Sequence, residues 1–236
     1  MISLGKLLES RFLRRRKRFL ADVVLNGKEI TAHLANTGSM KSLLEENAKA
    51  YLSRSENAAR KYPYSLEILR LHSGALACVN TSLTNKIVEE ALCRGLIREI
   101  PAGSEVIPEV SPFPGTRLDF KIRTPAREIC WIEVKNVTLL EAGNTAAFPD
   151  AVSERGQKHL NTLAALSEKG ERTFMFYLVN RTDAETFSIA ESIDPAYAEA
   201  FREAVSKGVK PLVYASRIFE EQGEWGIEVS KRLPWK

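Results

Sequence analysis

The most constraining feature of this chain is a change of periodicity near residue 80. Before it, the apolar residues follow a two-residue period or short runs, and no segment sustains a helical repeat. After it, strand-like and helix-like segments alternate. In the first part, Phe19, Ala21, Val23 and Leu25 alternate as one face of a strand. Asn26-Gly27 follows, the dipeptide that best tolerates positive φ at both centres of a tight hairpin turn. Glu29–Leu34 returns as the partner strand. Ala50–Arg54, Ser65–Leu71 and Ala75–Val79 are further strand-like runs, the last two separated by His72-Ser73-Gly74, and Leu4–Arg11 reads as a short strand or a helical turn. About five short strands in 80 residues, with no long helix, fit a small antiparallel barrel. An OB-like five-stranded barrel fits, although strand count alone leaves an SH3-like barrel open.

Beyond residue 80, Asn85–Gly95 places Ile87, Val88, Ala91 and Leu92 on one helical face, with Gly95 at the C-terminus. A Pro- and Gly-containing stretch covers 101–115. Strands are predicted at Arg117–Ile122 and Ile129–Lys135, split by the polar turn 123–127. A helix over Ala151–Lys169 comes next, then Thr173–Asn180, whose near-continuous apolar run suits a central strand buried on both faces. Pro195 opens a helix to about Lys207, with proline in the first turn, and Pro211–Ser216 is a final strand. This alternation predicts an α/β domain with a mixed sheet. The expected organisation is therefore two domains, 1–80 and 81–236.

Charge divides along the same line. Residues 1–80 hold 14 Lys+Arg and 7 Asp+Glu; residues 81–236 hold 20 and 23, for a net charge of +4. A basic unit joined to a mildly acidic one points to a polyanionic partner for the first. Solvated surface charge is the plainer reading of the same run. Cys78, Cys93 and Cys130 are odd in number and widely spaced, which suits buried, reduced thiols. Charges from Arg11 to Arg18 interrupt any apolar leader, and no run approaches the roughly 18 apolar residues of a spanning helix. No membrane association and a cytoplasmic location are expected.

The chemistry-bearing residues lie in the second unit. Period 2 puts Trp131, Glu133 and Lys135 on one face of a strand, with Ile132 and Val134 opposite. If the preceding strand pairs with it as a hairpin, Asp119 is brought beside Glu133. Two carboxylates are hard ligands for Mg²⁺ or Mn²⁺, and such an ion lowers the pKa of a bound water and stabilises charge on phosphate. The Lys135 ammonium then orients that water or neutralises developing charge. Asp119, Glu133 and Lys135 match the PD-(D/E)xK nuclease arrangement in type and order. A solvent-facing hairpin with a surface ion pair would show the same spacing. In the following helix, Glu154, Gln157 and Lys158 are candidates for a face turned to the site, with Gln157 touching a water or a phosphate. Glu109 is a possible further acidic ligand, in competition with Glu89 and Glu90. His33, His72 and His159 have no metal-ligand spacing and read as ordinary surface or core histidines. No phosphate-binding glycine motif is present, so no nucleotide cofactor is implied.

In the first unit, Arg14, Arg15, Arg16, Lys17 and Arg18 alternate across both faces of an extended chain and need solvent or phosphate on both sides. Arg54, Arg60 and Lys61 lie beside Tyr62 and Tyr64, a mixture suited to backbone contact with base stacking. Core packing is the alternative for the two tyrosines.

Together, the blocks KRFLADV (17–23), NTGSM (36–40), LSRSENAARKYPYSLE (52–67), VNTSLTN (79–85), RLDF (117–120), EVKNVTL (133–139), FPDAVSERGQKHL (148–160) and IDPAYAEAFREAVSKGV (193–209) resemble the sugar fermentation stimulation protein family of bacteria and archaea. The resemblance spans almost the whole chain. It implies an OB-like N-terminal domain, a PD-(D/E)xK-like C-terminal domain, DNA binding without strong sequence preference, and a regulatory role in sugar use. Asp119, Glu133 and Lys135 fall on the family's acidic pair and lysine. In the NTGSM loop, Gly38 allows a tight turn and Asn36, Thr37 and Ser39 offer donors suited to phosphate. Three activities stay open at this point: a metal-dependent nuclease acting on DNA, a DNA-binding regulator that does not cut, and an RNA-binding module.

Overall fold

The computed structural model describes residues 1–236. Sixteen strands and three α-helices follow one another as β1 (Ile2–Gly5), β2 (Leu8–Arg16), β3 (Leu20–Leu25), β4 (Lys28–His33), β5 (Lys49–Arg54), β6 (Tyr64–Arg70), β7 (Leu76–Cys78), α1 (Thr84–Cys93), β8 (Glu105–Phe113), β9 (Thr116–Arg123), β10 (Ile129–Val137), β11 (Leu139–Glu141), β12 (Thr145–Phe148), α2 (Glu154–Ser167), β13 (Arg172–Val179), β14 (Thr186–Ile189), α3 (Pro195–Ser206), β15 (Lys210–Glu221) and β16 (Glu224–Arg232).

The first sheet runs β4-β3-β2-β5-β6-β7, and a parallel bridge between His33 and Ser65 joins β4 to β6. That contact closes β2–β6 into a five-stranded barrel, with β7 appended to β6. The closure order, with its one parallel pair between the third and fifth barrel strands, is the OB type and removes the SH3-like alternative. Asn26 and Gly27 both have positive φ, 51° and 76°, and Leu25 faces Lys28 across the turn. This is the primed two-residue turn whose twist matches the strands it joins. Phe12, Val23, Leu34, Leu43, Leu52 and Leu66 belong to the barrel core.

The second sheet has seven strands in the order β1-β16-β15-β13-β10-β9-β8. β10, β13 and β15 run parallel, and the outer pairs are antiparallel. β13 sits in the middle with every residue from Thr173 to Val179 buried, as its apolar run predicts. One face packs on α1 and on barrel residues such as Tyr51 and Ile68; the other packs on α2 and α3. β11, β12 and β14 form a small third sheet.

Four features depart from the sequence reading. Residues 2–5 do not belong with the first 80: β1 pairs with β16 at the edge of the second sheet, where Ile2 and Leu4 pack on that domain's core. The Pro- and Gly-containing stretch 101–115, to which the sequence assigned no element, contains β8. Its prolines, Pro108 and Pro112, are tolerated because β8 is an edge strand with one side unpaired. Helix α2 also begins at Glu154 rather than Ala151, because Ser153 caps it by accepting from the Gly156 N–H. No helix is long and apolar enough to cross a membrane. Cys78 and Cys130 are buried and Cys93 is exposed, so the expectation of buried thiols fails at Cys93, which closes α1 at the surface.

Candidate functional site

The site forms where two strands part. β9 and β10 pair from Arg123–Ile129 to Phe120–Ile132 and no further. The next residue of β10 on the α2 side is Glu133, and the next of β9 is Asp119. With the ladder ended, the Asp119 carboxylate enters the gap, and its Oδ2 accepts from the Val134 N–H at 2.7 Å. Its Oδ1 accepts from Asn85 Nδ2 at 2.8 Å, a donor carried by the first turn of α1. Burial, and then the neighbouring Glu133 charge, push the Asp119 carboxyl up to about 6.

Glu133 is only 3% exposed. Its Oε1 accepts from Lys135 Nζ at 2.6 Å and meets Nδ1 of His159, which lies on α2. Lys135 Nζ stands 3.2 Å from the same His159 nitrogen. Burial alone would raise the Glu133 carboxyl, but His159 and Lys135 together hold it below the usual carboxylate range. Its other oxygen, Oε2, is buried without any hydrogen-bond partner. Leaving even a neutral buried polar atom unpaired costs about 1–3 kcal/mol, and a charged one more. Asp119, Glu133 and Lys135 thus come together as one partly dry constellation. A surface ion pair is excluded by the burial.

The other candidates separate. Gln157 points to Asp194, with Nε2 at 3.4 Å from Oδ1, and does not join Glu133. It is two residues from His159, and two residues of α-helix turn the side chain to nearly the opposite face. Lys158 donates to the Gly115 carbonyl, and Glu154 is exposed. Glu109 is exposed and paired with Arg117 at 2.8 Å, and Glu90 pairs with Arg94, so neither extends the acidic pair. No third acidic, histidine or cysteine side chain completes a ready-made metal cage. Conversely, His159 is not an ordinary core histidine. The HL at the end of the FPDAVSERGQKHL block was the available signal, but nothing in its spacing ties it to a strand 26 residues earlier.

On the barrel the basic run resolves into different tasks. Arg14 pairs with Asp22 and Glu29, and Arg16 with Asp22 and Thr31. Arg15 is built into the NTGSM loop, donating to the carbonyls of Asn36, Gly38, Ser39 and Arg18. Lys17, Arg18, Arg54 and Lys61 are exposed and make no ion pair. Arg60 reaches only the His33 ring, at 3.5 Å. The pairing of Leu20 with His33, His33 with Ser65, and Ser65 with Ser53 brings these cations to one rim of the barrel. Exposed Phe19 is on that rim, and Lys61 lies 5.5 Å from the Tyr62 ring centre. Tyr64 instead packs on the barrel core.

Of the three NTGSM donors named from the sequence, Asn36 and Ser39 are not free for phosphate, while Thr37 stays exposed. Asn36 is buried and bonds the Val79 carbonyl and the Gly38 N–H. Ser39 gives both its N–H and its hydroxyl to Asp150 Oδ2, at 2.6 and 3.2 Å. A Cβ on Gly38 would lie 2.5 Å from that same oxygen, so only glycine permits the approach. The loop is therefore a clasp between barrel and α/β domain. Beside it lies a polar cavity of about 300 Å³, lined by Asn36, Thr37, Thr81, Asn136, Asp150 and Ser153 among others.

An OB-type barrel fused to a mixed sheet bearing an Asp, a Glu-x-Lys and their helix partners defines a two-domain protein of OB and PD-(D/E)xK-like fold. Family comparison agrees in both halves: residues 13–79 match the "SfsA N-terminal OB domain" and residues 82–222 the "Sugar fermentation stimulation protein RE domain". The chain belongs to the sugar fermentation stimulation protein family. It is 42% identical over 232 residues to a homologue from Pelobacter propionicus, covering 98% of each chain, and 44% identical to one from Pseudomonas putida, covering 96% of this chain and 94% of that one. Among solved structures, Pyrococcus furiosus SfsA in complex with Ca²⁺ is similar over the full length of both chains, with 27% identity and a TM-score of 0.85.

Proposed function

We propose that the chain binds DNA with little sequence preference along the basic barrel rim. We further propose that it hydrolyses phosphodiester bonds at Asp119, Glu133 and Lys135 with a divalent cation, Mg²⁺ or Mn²⁺. The observation that carries this reading is the unpartnered, buried Oε2 of Glu133 beside an Asp119 carboxyl that resists ionisation in the absence of a cation. Those are the properties of oxygen ligands lacking their ion. Two carboxylates suffice for Mg²⁺, which keeps several of its waters. The Ca²⁺ complex of the Pyrococcus furiosus relative supports a divalent ion in this fold. When bound, such an ion supplies charge neutralisation on the phosphate and an acidified water.

The chain's own groups have separable tasks. Asp119 and Glu133 would bind the cation, Asn85 and the Val134 N–H hold Asp119 in place, and the Lys135 ammonium, which donates to Glu133 Oε1 in the structure, would orient the water or neutralise charge on the phosphate. Lys17, Arg18, Arg54, Arg60 and Lys61 neutralise the nucleic-acid backbone, and Phe19 and Tyr62 offer stacking surfaces.

A second reading, a DNA-binding regulator of sugar-use genes that does not cut, is favoured by one observation: the site is nearly closed, with the Lys135 side chain 13% exposed. An RNA-binding module is the third. Incubating purified protein with single- and double-stranded DNA and RNA, with Mg²⁺, Mn²⁺ or EDTA, separates them. Metal-dependent cleavage by the wild type, lost in Asp119→Ala and Glu133→Gln, is the expected result. Cleavage that survives both substitutions would refute the nuclease assignment. Salt-sensitive DNA binding with no cleavage of any polymer would favour the second reading, and selective RNA binding the third.

A further inference from the structure

We propose that His159 is a positioning residue, which holds Glu133 Oε1 so that Oε2 faces the cation and Lys135 is free to leave the carboxylate. The inference rests on the metal-site reading above and assigns a group outside the Asp, Glu and Lys pattern.

An ionised carboxylate only accepts, so the His159 nitrogen that meets Glu133 Oε1 carries its hydrogen there. Lys135 Nζ, 3.2 Å from that same nitrogen, then has no acceptor there, and its bond goes to Glu133 Oε1 at 2.6 Å. Both donors converge on one oxygen while the other has none. A histidine present only for packing would have no reason to aim a donor at a carboxylate that a lysine already serves. Two donors on Oε1 fix the carboxylate rotation, which is what a monodentate ligand needs.

The duplication also solves a conflict. If Lys135 alone satisfied Glu133, its movement to a water or phosphate would leave a 3%-exposed carboxylate without a donor. With His159 in place, Lys135 can move while Oε1 keeps a hydrogen bond. The imidazole comes from α2, and α2 is capped by Ser153 immediately after the Asp150 segment that clasps the barrel. The donor is therefore mounted on a rigid helix rather than on a loop.

The test compares His159→Leu, which fills similar space without a donor, with His159→Asn, whose amide can replace the Nδ1 donor. Mg²⁺ and Ca²⁺ binding to the full chain is read by calorimetry, with melting curves of the metal-free proteins as a folding check. Loss of such an outer partner commonly costs 10–100-fold in metal affinity or activity. His159→Leu should weaken binding by about 10-fold or more, and His159→Asn should recover most of that loss. Where cleavage is measurable, His159→Leu should lower kcat more than it changes KM. Wild-type binding that Glu133→Gln abolishes and His159→Leu leaves unchanged would overturn this inference alone. Equal losses in a folded His159→Leu and a folded His159→Asn would overturn it too, since donor chemistry would then be irrelevant. No cation binding by the wild type would overturn both this inference and the metal-site reading. If His159→Leu does not fold, the Asn variant decides: a loss of 10-fold or more would overturn the inference, and near-wild-type binding would uphold it.

Discussion

The barrel rim and the strand-gap site both concentrate charge, but in opposite environments. On the rim, Lys17, Arg18, Arg54 and Lys61 stand in water with no ion partner, and each acts almost independently of the others. In the gap, Glu133, Lys135 and His159 are within bonding reach of one another, Asp119 is held beside them by Asn85 and the Val134 N–H, and the group is largely dry. Screening makes the first array graded and replaceable, since exposed charges are individually weak. Low local polarity makes the second all-or-none, because removing one member strands another. Arg15 shows that position in a basic run does not decide which regime applies: its two neighbours are mostly exposed, whereas its own guanidinium is half-buried among four carbonyls.

This contrast can be broken at several scales. The largest effect should come from Glu133→Gln, which is expected to reduce metal-dependent cleavage by at least about 100-fold, as for loss of one preorganised electrostatic group. DNA affinity should remain unchanged in the same protein. A loss of only a few-fold would mean the gap is as graded as the rim. Next, Mg²⁺ at 100 times its Kd should stabilise the folded chain by about 2.7 kcal/mol. Thermal melting of wild type and of Asp119→Ala checks this, and the variant should show no metal-dependent shift. Arg15→Ala should cost about 2–3 kcal/mol in denaturant unfolding, because several charge-assisted bonds to the clasp are lost. Arg14→Ala should cost less, about 1 kcal/mol, because the buried Asp22 carboxylate keeps its bonds from Arg16 and Thr31. The smallest single effects belong to the rim. Each of Lys17→Ala, Arg18→Ala, Arg54→Ala and Lys61→Ala should lower the slope of log K against log salt by about 0.9 on duplex DNA, or about 0.7 on a single strand. The four effects should add. A single rim substitution that eliminated binding would show that the rim, too, is a cooperative site.

Local chemistry made much of the architecture legible. Asn26-Gly27 announces the β3–β4 hairpin, the apolar run 173–180 announces the central strand, and Pro195 announces the start of α3. The face of Glu133 and Lys135 follows from strand alternation, since Trp131 packs with α2 and α3 while Ile132 and Val134 pack with α1. What sequence hid was whatever depended on distant chain. β8 was masked by prolines that only an edge position excuses. His159 and Gln157 are nearly adjacent on α2, and choosing between them requires the rotation of that helix against β10. Arg15 differs from Arg14 only because the 36–39 backbone folds over one and not the other.

The short strand β1 changes what kind of object the barrel is. Because Ile2–Gly5 is stitched to β16, the polypeptide leaves the larger sheet, builds the barrel, and returns to the same body at α1. The barrel is thus an excursion with both of its ends moored, not a bead on a string. A protease that severed the chain between β7 and α1 would leave the barrel still held through β1. Expressing 81–236 by itself would strip an edge strand and uncover the apolar flank that Ile2 and Leu4 shield. Swinging motions between the two halves, the usual freedom of tandem domains, are correspondingly restrained, so the rim and the gap are held at a nearly fixed distance from one another.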